Sequence, residues 1–418
     1  MNIAIISQPV DRVLRSNPTS IGIITLEIAN RLAVRHKVTV YIGSNKVRKK
    51  IEKRGNIEFC YIPTTPDKYF LKIFNKLSKV ILGYRIPIFN SVFYYINYVI
   101  QIARDLKTRK CDIVHLHNFS QFAPVIRAFS PTSKIVLHMH CEWLTQLEEK
   151  VVHRRLDCVN IIIGVSDYIT EKIKYRFPLM EPYCHTVFNG VDLSRFRCKN
   201  HPGPTVTDNL KRILFVGRVS PEKGVHILIQ AIHRVVNKKA DVLLDIIGSN
   251  AQLPREYIVG FKSNERVASL DVFYKKNTTS HYRYILEKEI ARLNISDKVN
   301  FVGHVPHSGI SDWYRNSDLV VNPSFSESFG MSLIEAMASG VPVIASRTGG
   351  MQEIIEDGKT GTLVEPGNVT QLADAILELL QNAEVRGSMG LESMKRAQTI
   401  FSWDKSVETL TSCYRSVC

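Results

Sequence analysis

Two glutamates, Glu327 and Glu335, stand eight residues apart in the stretch SESFGMSLIEAMASGVPVIAS, residues 326–346. Carboxylates accept hydrogen bonds from hydroxyl groups, and the pattern between them predicts a helix that starts near Phe329 to Ser332. The first N–H groups of a helix have no partner within it and favour an anion. Gly330, at that start, lets the backbone approach a ligand closely. Carboxylates that grip hydroxyls, set around a helix start that grips phosphate, suit a molecule with both features, a sugar nucleotide. A capped helix with an acidic first turn would show the same residues, so the spacing needs support from elsewhere.

Support comes from FVGRVSPEKG, residues 215–224. An apolar strand ends at Gly217, and Arg218 and Lys223 follow in a loop containing Pro221 and Gly224. A guanidinium offers paired donors and an ammonium a compact charge, so two such cations beside a helix start fit a diphosphate. Histidines form two further pairs, His115 and His117 in DIVHLHN and His138 and His140 in VLHMHCEW, each at alternating strand positions and so on one face. Four imidazoles are donors that zinc accepts. Nothing else in the sequence supports a metal, and core histidines satisfied near strand ends are the commoner use, so no metal is expected. Asp112, just before a strand, reads as a structural capping residue.

The elements that must position these groups repeat one grammar. MNIAIIS is a short strand, QPVDRVLRSNPTSIG a polar loop, IITLEIANRLAVR a helical pattern and HKVTVYIG a strand. Strand, loop, helix, strand is the unit of a parallel sheet. CDIVHLH, SKIVLHMH, CVNIIIGVS and CHTVFNGVD follow as nearly unbroken apolar runs, as strands buried on both faces should be. After the linker RCKNHPGPTVTDNLKR the grammar restarts with ILFVGRVSPEKG, VHILIQAIHRVV, ADVLLDIIGSN, KVNFVGHV, SDLVVNPS and VPVIAS. Two α/β halves imply a cleft between them. Residues 250–285 break the pattern and read as an insertion before the helix LEKEIARLN.

The whole chain bounds the reading. Its 418 residues exceed one compact core, and two domains are expected. No apolar run reaches membrane-spanning length, and the first residues lack a signal peptide, so a cytosolic chain is expected. Eight cysteines without C-x-x-C spacing are expected to be reduced and mostly buried. Of the net charge of +16, residues 31–110 hold 18 basic against 4 acidic residues, a net of +14. That concentration points to an anionic partner surface. In the same region Phe70, Ile73, Phe74, Leu77, Val80 and Ile81 recur at helical spacing with Lys72, Lys76 and Lys79 between them. A helix of that kind can lie in a membrane interface, or it can turn its apolar face to a core. No nucleic-acid module is present, which favours anionic lipid over nucleic acid.

At this point the residues resemble a known family. GRVSPEKG, PSFSESFGMSLIEAMASGVPVIAS, TGGMQEIIEDGKTGTLVEPGNVTQLADAI and VFNGVDLSRF are similar, in order, to signature segments of the retaining, GT-B-fold glycosyltransferases of family 4 (glycosyl transferases group 1). The resemblance is dense from about Asn160 onward and thinner before. It implies an α/β fold of GT-B architecture, two Rossmann-like domains facing each other across a cleft. Residues 1–197 would form the acceptor-binding domain and 198–399 the nucleotide-sugar-binding domain. Residues 400–418 would form a helix crossing back to the first, with Trp403 as its anchor.

The resemblance also implies roles. Arg218 and Lys223 would bind the donor diphosphate, Glu335 the ribose hydroxyls and Glu327 the donor-sugar hydroxyls. The backbone N–H groups of Phe329, Gly330 and Met331 would also hold the sugar, and His140 would be the active-site histidine facing it. The resemblance also implies that the loop after the first strand, usually glycine-paired, approaches the donor diphosphate and acceptor; here it reads NPTSIG, with Gly22 alone as the donor-binding glycine.

The reaction so implied is transfer of a hexosyl group from a nucleotide-diphosphate sugar, expected to be UDP-linked, to an acceptor hydroxyl with retention and without a cofactor. Positive charge at the diphosphate answers the charge that builds on the leaving group. No D-x-D metal motif occurs, and a metal-independent reaction is expected. The basic first half favours a glycan or lipid-linked acceptor in cell-envelope or polysaccharide synthesis, with the protein peripheral on the inner face of the membrane. An alternative is a non-catalytic nucleotide-sugar-binding or coat-associated homologue of the same fold. A phosphorylase would need a pyridoxal-phosphate signature, and none is evident. A nicotinamide enzyme would need G-x-G-x-x-G after a first strand, which neither half has.

Overall fold

The structure, a computed structural model, describes residues 1–14, 18–46, 48–81, 91–196, 210–250, 255–259, 265–274 and 281–418. The chain divides into two compact units, Met1–Asn189 with Trp403–Cys418, and Gly190–Ser402.

The first unit holds an eight-stranded sheet. Its strands are β1 (Asn2–Ile6), β2 (Lys37–Ser44), β3 (Lys50–Arg54), β4 (Ile57–Pro63), β5 (Ile113–His117), β6 (Lys134–Met139), β7 (Ile161–Gly164) and β8 (Cys184–Thr186), in spatial order β3-β4-β2-β1-β5-β6-β7-β8. All neighbours run parallel except β3, which pairs antiparallel with β4. The sequence reading missed β3 and β4. KIEKR carries no apolar run, and all but one of its residues are exposed, so it has no burial signature to read.

Helix Ser20–Leu32 starts at a cap: the Thr19 hydroxyl accepts from the Gly22 N–H at 3.1 Å, and Ile24, Ile28 and Leu32 face the core. Gly22 therefore lies inside a helix, not in the loop assigned to it from the sequence. A Cβ there would come within 2.5 Å of the Arg12 carbonyl oxygen, so the glycine is required by packing of the preceding loop. Its N–H is taken by the cap and not held out for a diphosphate. Helix Trp403–Arg415 packs against this helix, with Trp403 buried and Arg31 bonded to Asp404 at 2.8 Å.

The basic segment is partly internally paired. Asp105 takes Lys49 and Arg109, each at 2.6 Å, Arg109 also meets Glu58, and Glu52 takes Arg54 at 2.7 Å. Helix Thr65–Ile81 buries Leu71 and Asp67, whose carboxylate accepts from the Asn97 and Tyr98 N–H groups at the start of helix Ile96–Arg109. Phe70 and Ile73 point outward instead, 42% and 61% exposed. For these two residues the core-facing alternative is excluded. The side chains of Leu77, Val80 and Ile81 lie outside the described residues, as do those of Lys76 and Lys79.

The second unit holds six parallel strands, β9 (Lys211–Val216), β10 (Val242–Ile247), β11 (Val299–Gly303), β12 (Leu319–Asn322), β13 (Val343–Ser346) and β14 (Thr362–Val364), in order β11-β10-β9-β12-β13-β14. Strand β14, three residues long, also escaped the sequence reading. Strand order reverses direction between β9 and β12, and in the first unit between β1 and β5. Open parallel sheets leave a crevice at the carboxyl ends of the strands flanking such a point. Both motif loops of the second unit, after β9 and after β12, start there. The insertion carries short helices at Arg255–Ile258 and Glu265–Ala268, and the helix expected from Leu286 begins earlier, as His281–Arg292. None of the cysteines described is disulfide-bonded; Cys198 falls outside the described residues.

Candidate active site

The loop after β9 is held by its own glutamate. Glu222 is buried and accepts from the Ser220 hydroxyl at 2.6 Å and from Arg218 Nη2 at 3.3 Å. That contact orients the guanidinium while leaving the side chain about a third exposed. The loop closes on the one after β12: the Phe325 N–H donates to the Glu222 carbonyl at 2.8 Å, and a Cβ on Gly224 would come within 2.1 Å of the Pro323 carbonyl. Gly224 also has φ +70°, which disfavours any side chain.

The result is that Lys223 and Glu327 meet. The ammonium lies 2.6 Å from Oε2 of Glu327, with both side chains largely buried. Behind Glu327 the turn at Gly349–Gly350 packs on its backbone: the Gly350 N–H donates to the Glu327 carbonyl at 3.1 Å, and a Cβ on Gly349 would lie 1.8 Å from that oxygen.

Helix Met331–Ala338 begins at Gly330, whose φ of +124° is accessible to glycine. Phe329 is buried with its ring against Phe401, which sets where the helix starts. Glu335 sits one turn inside and is buried. Its carboxylate takes Tyr314 Oη at 2.8 Å on one oxygen and His307 Nε2 at 3.0 Å on the other. Arg195 Nη1 lies 2.6 Å from His307 Nδ1. Arginine only donates, so Nδ1 must accept, and the ring proton sits on Nε2 facing Glu335. His307, Tyr314 and Arg195 were not found from the sequence, because their partner is set by folding. Arg195 did lie in the segment VFNGVDLSRF, which resembled the family, and the division of the chain places it in the second unit.

The structure thus brings Arg218, Lys223, Glu327, Phe329 and Gly330, and through helix Met331–Ala338 also Met331 and Glu335, onto the two loops and the helix that follows at one switch point. Gly22 and His140 belong to the first unit. His140 follows the end of β6, whereas His138 lies within the strand. The His140 N–H donates to Asn118 Oδ1 at 2.7 Å, and its Nε2 is 2.8 Å from His117 Nδ1. Burial pushes all four histidines of the two strands far down, His117 to about 3, so they are neutral. Asp112 accepts from the Asn2 N–H at 2.7 Å and ties two strands at their starts, a structural cap.

Two family profiles match, "Glycosyltransferase Family 4" over residues 21–195 and "Glycosyl transferases group 1" over residues 199–396. The chain is 30% identical over 330 residues to spore coat protein SA of Bacillus subtilis, covering 75% of this chain and 80% of that one. It belongs to the group 1 glycosyl transferases. A D-inositol 3-phosphate glycosyltransferase of Corynebacterium glutamicum is 34% identical over 204 residues, 49% of this chain and 43% of its own. Among solved structures, HepE of Anabaena in complex with UDP and glucose has a TM-score of 0.71 at 19% identity over the whole of both chains. Sucrose-phosphate synthase of Thermosynechococcus elongatus has a TM-score of 0.74 at 20% identity, covering 99% of this chain and 98% of that one. These two likenesses establish for the glycosyltransferase the GT-B fold expected from its sequence.

Proposed function

We propose that this glycosyltransferase moves a hexosyl group from a UDP-linked donor to an acceptor hydroxyl with retention, without a catalytic metal and without a cofactor. The observation that carries the reading is the pairing of Lys223 with Glu327 at 2.6 Å, at the switch point that also presents Arg218 and the start of helix Met331–Ala338. A diphosphate seated at Arg218, Lys223 and the N–H groups of Phe329, Gly330 and Met331 gains charge as the glycosidic bond breaks, and those donors are fixed in advance to receive it. Glu327 orients the sugar hydroxyls and Glu335 the ribose. By the family resemblance His140, in the first unit, is assigned as the active-site histidine. Attack from the side the leaving group occupies, within an ion pair, gives retention without a covalent carboxylate. UDP is supported as the nucleotide by HepE, solved with UDP and glucose, and by the likeness to TarM, solved with UDP and alpha-GlcNAc-glycerol.

The acceptor side reads as a membrane-associated glycan or lipid-linked acceptor in envelope or polysaccharide synthesis, approached from the inner leaflet. Among the described residues Tyr69, Phe70, Ile73, Val92 and Phe93 are all exposed, and the Phe70 and Phe93 rings lie 6.3 Å apart. An exposed aromatic patch beside lysines fits a lipid headgroup boundary. No described helix is long and apolar enough to cross a membrane.

The test is incubation of purified protein with a panel of UDP-, GDP- and ADP-sugars, with and without chelator, following release of the nucleoside diphosphate. Chelator-insensitive turnover of a UDP-sugar, with a product anomer matching the donor, is expected. Binding of UDP without turnover on any acceptor extract would favour the non-catalytic, coat-associated reading, to which the likeness to a spore coat protein lends support.

A further inference from the structure

Strands β5 and β6 lie side by side in parallel register, with His117 opposite His138. His115, two residues before His117, turns its ring to the same side, and ligand atoms of His115, His117 and His138 lie within 4.8 Å of one another. All three rings are buried.

Their hydrogen bonds can be followed atom by atom. His117 Nδ1 is 2.8 Å from His140 Nε2, His138 Nδ1 is 3.3 Å from His115 Nε2, and His115 Nδ1 is 2.7 Å from the Tyr414 hydroxyl. A consistent set of tautomers puts the ring proton of all three on Nδ1: His115 donates to the Tyr414 hydroxyl, His117 to His140 Nε2, and His138 to Nε2 of His115. Lone pairs then remain at Nε2 of His117 and His138, and both atoms are buried without a hydrogen-bond partner. A buried polar atom left so costs about 1–3 kcal/mol unless something fills the gap. Neutral imidazoles with free Nε2 lone pairs, oriented by bonds at Nδ1, are the form in which histidine binds a metal.

We propose that His115, His117 and His138 hold a divalent transition-metal ion of the zinc class inside the first unit. His140 and Tyr414 support it as hydrogen-bond partners of His117 and His115. Three nitrogen donors in a buried setting select zinc, cobalt or nickel over magnesium or calcium, which take oxygen. A tetrahedral ion spaces its nitrogens by about 3.4 Å, so binding draws the rings together and replaces the long His115–His138 contact with a coordinate bond. A water molecule or a small anion fills the fourth place. The ion has a structural consequence: through His115 it reaches Tyr414, and so braces helix Trp403–Arg415 against β5. This structural role does not rest on the donor-site assignment.

The full chain, dialysed against chelator, is titrated with Co²⁺ and then Zn²⁺. The expected result is one equivalent of Co²⁺ giving a visible ligand-field band of tetrahedral intensity, its loss on adding Zn²⁺, and a melting temperature several degrees higher with saturating Zn²⁺. The band and the thermal shift should both vanish in His138→Phe and, as a milder change, in His117→Gln, while His153→Gln on an outer helix keeps them. No band and no thermal shift at tenfold excess metal would overturn the proposal, leaving the orphaned nitrogens to buried water. So would a band that persists in both core variants, which would place the ion elsewhere.

Discussion

Lys223 and Glu327, 104 positions apart in the chain, form an ion pair of 2.6 Å. The lysine proposed for the diphosphate is thus neutralised by the glutamate proposed for the sugar. A donor must divide the pair, its phosphate taking the ammonium and its hydroxyls the carboxylate.

This gives the two residues opposite signatures. Lys223→Ala should weaken UDP binding roughly 10- to 100-fold, the loss of one charge-assisted contact. Glu327→Gln should bind free UDP as tightly as wild type or tighter, because Lys223 is released, while transfer collapses. Calorimetry with UDP alongside a turnover assay reads both. Parallel losses of UDP affinity in the two variants would refute the division.

Glu335 is set by Tyr314 and His307, so its support can be removed without touching it. Tyr314→Phe deletes one donor and should weaken UDP binding by about tenfold or less. Glu335→Gln should cost more for UDP than for 2′,3′-dideoxy-UDP, since the contact is with ribose hydroxyls. Equal losses for the two ligands would remove Glu335 from the ribose.

Much of this was legible before folding. The second unit's site residues lie in two short segments whose composition implies their chemistry, and its strands are apolar runs bounded by glycine or asparagine. The supports were not legible. His307 and Tyr314 reach Glu335 from a separate loop and helix, and no spacing encodes that meeting. Gly22 shows the converse error, since a glycine after a first strand looks like a ligand loop, yet here it seats the Arg12 carbonyl. Strand β3 fails for a third reason: an exposed edge strand rich in lysine hides its pairing from any burial pattern.

Asp11, buried in the loop after β1, has its carboxyl pushed up to about 7 by burial, with bonds from Thr19 and the Gln8 N–H opposing. The folded chain therefore keeps a proton there that the unfolded chain loses near pH 4. Below that pH the two states match. Between pH 4 and 7 stability falls as pH rises, to a total on the order of 4 kcal/mol at most, and above 7 the cost is constant. Asp11→Asn should melt higher than wild type at pH 8 and nearly the same at pH 4. Identical pH dependence of the two melting curves would contradict this.

Exposure of Phe70, Ile73 and Phe93 predicts behaviour on vesicles. Wild type should cosediment with anionic vesicles at low salt, less as salt rises, and little with neutral ones. Ile73→Asp should reduce binding at every salt concentration, whereas Lys72→Glu should act mainly at low salt, with UDP affinity unchanged in both. A wild type indifferent to anionic vesicles at low salt would withdraw the membrane from the reading.

Finally, the first unit is assembled from both ends of the chain, Met1–Asn189 and Trp403–Cys418. On a ribosome its last helix emerges only after the 213 residues of Gly190–Ser402, a delay of roughly 10–40 s at ordinary elongation rates. Throughout that interval the nascent chain carries an eight-stranded sheet whose seat for Trp403 and Tyr414 is empty, while the second unit already has all its residues. Completion of the first unit is thereby postponed until that helix has emerged, and a chain released before it would carry a formed second unit with an unsealed first, a natural mark for the cell's quality-control proteases.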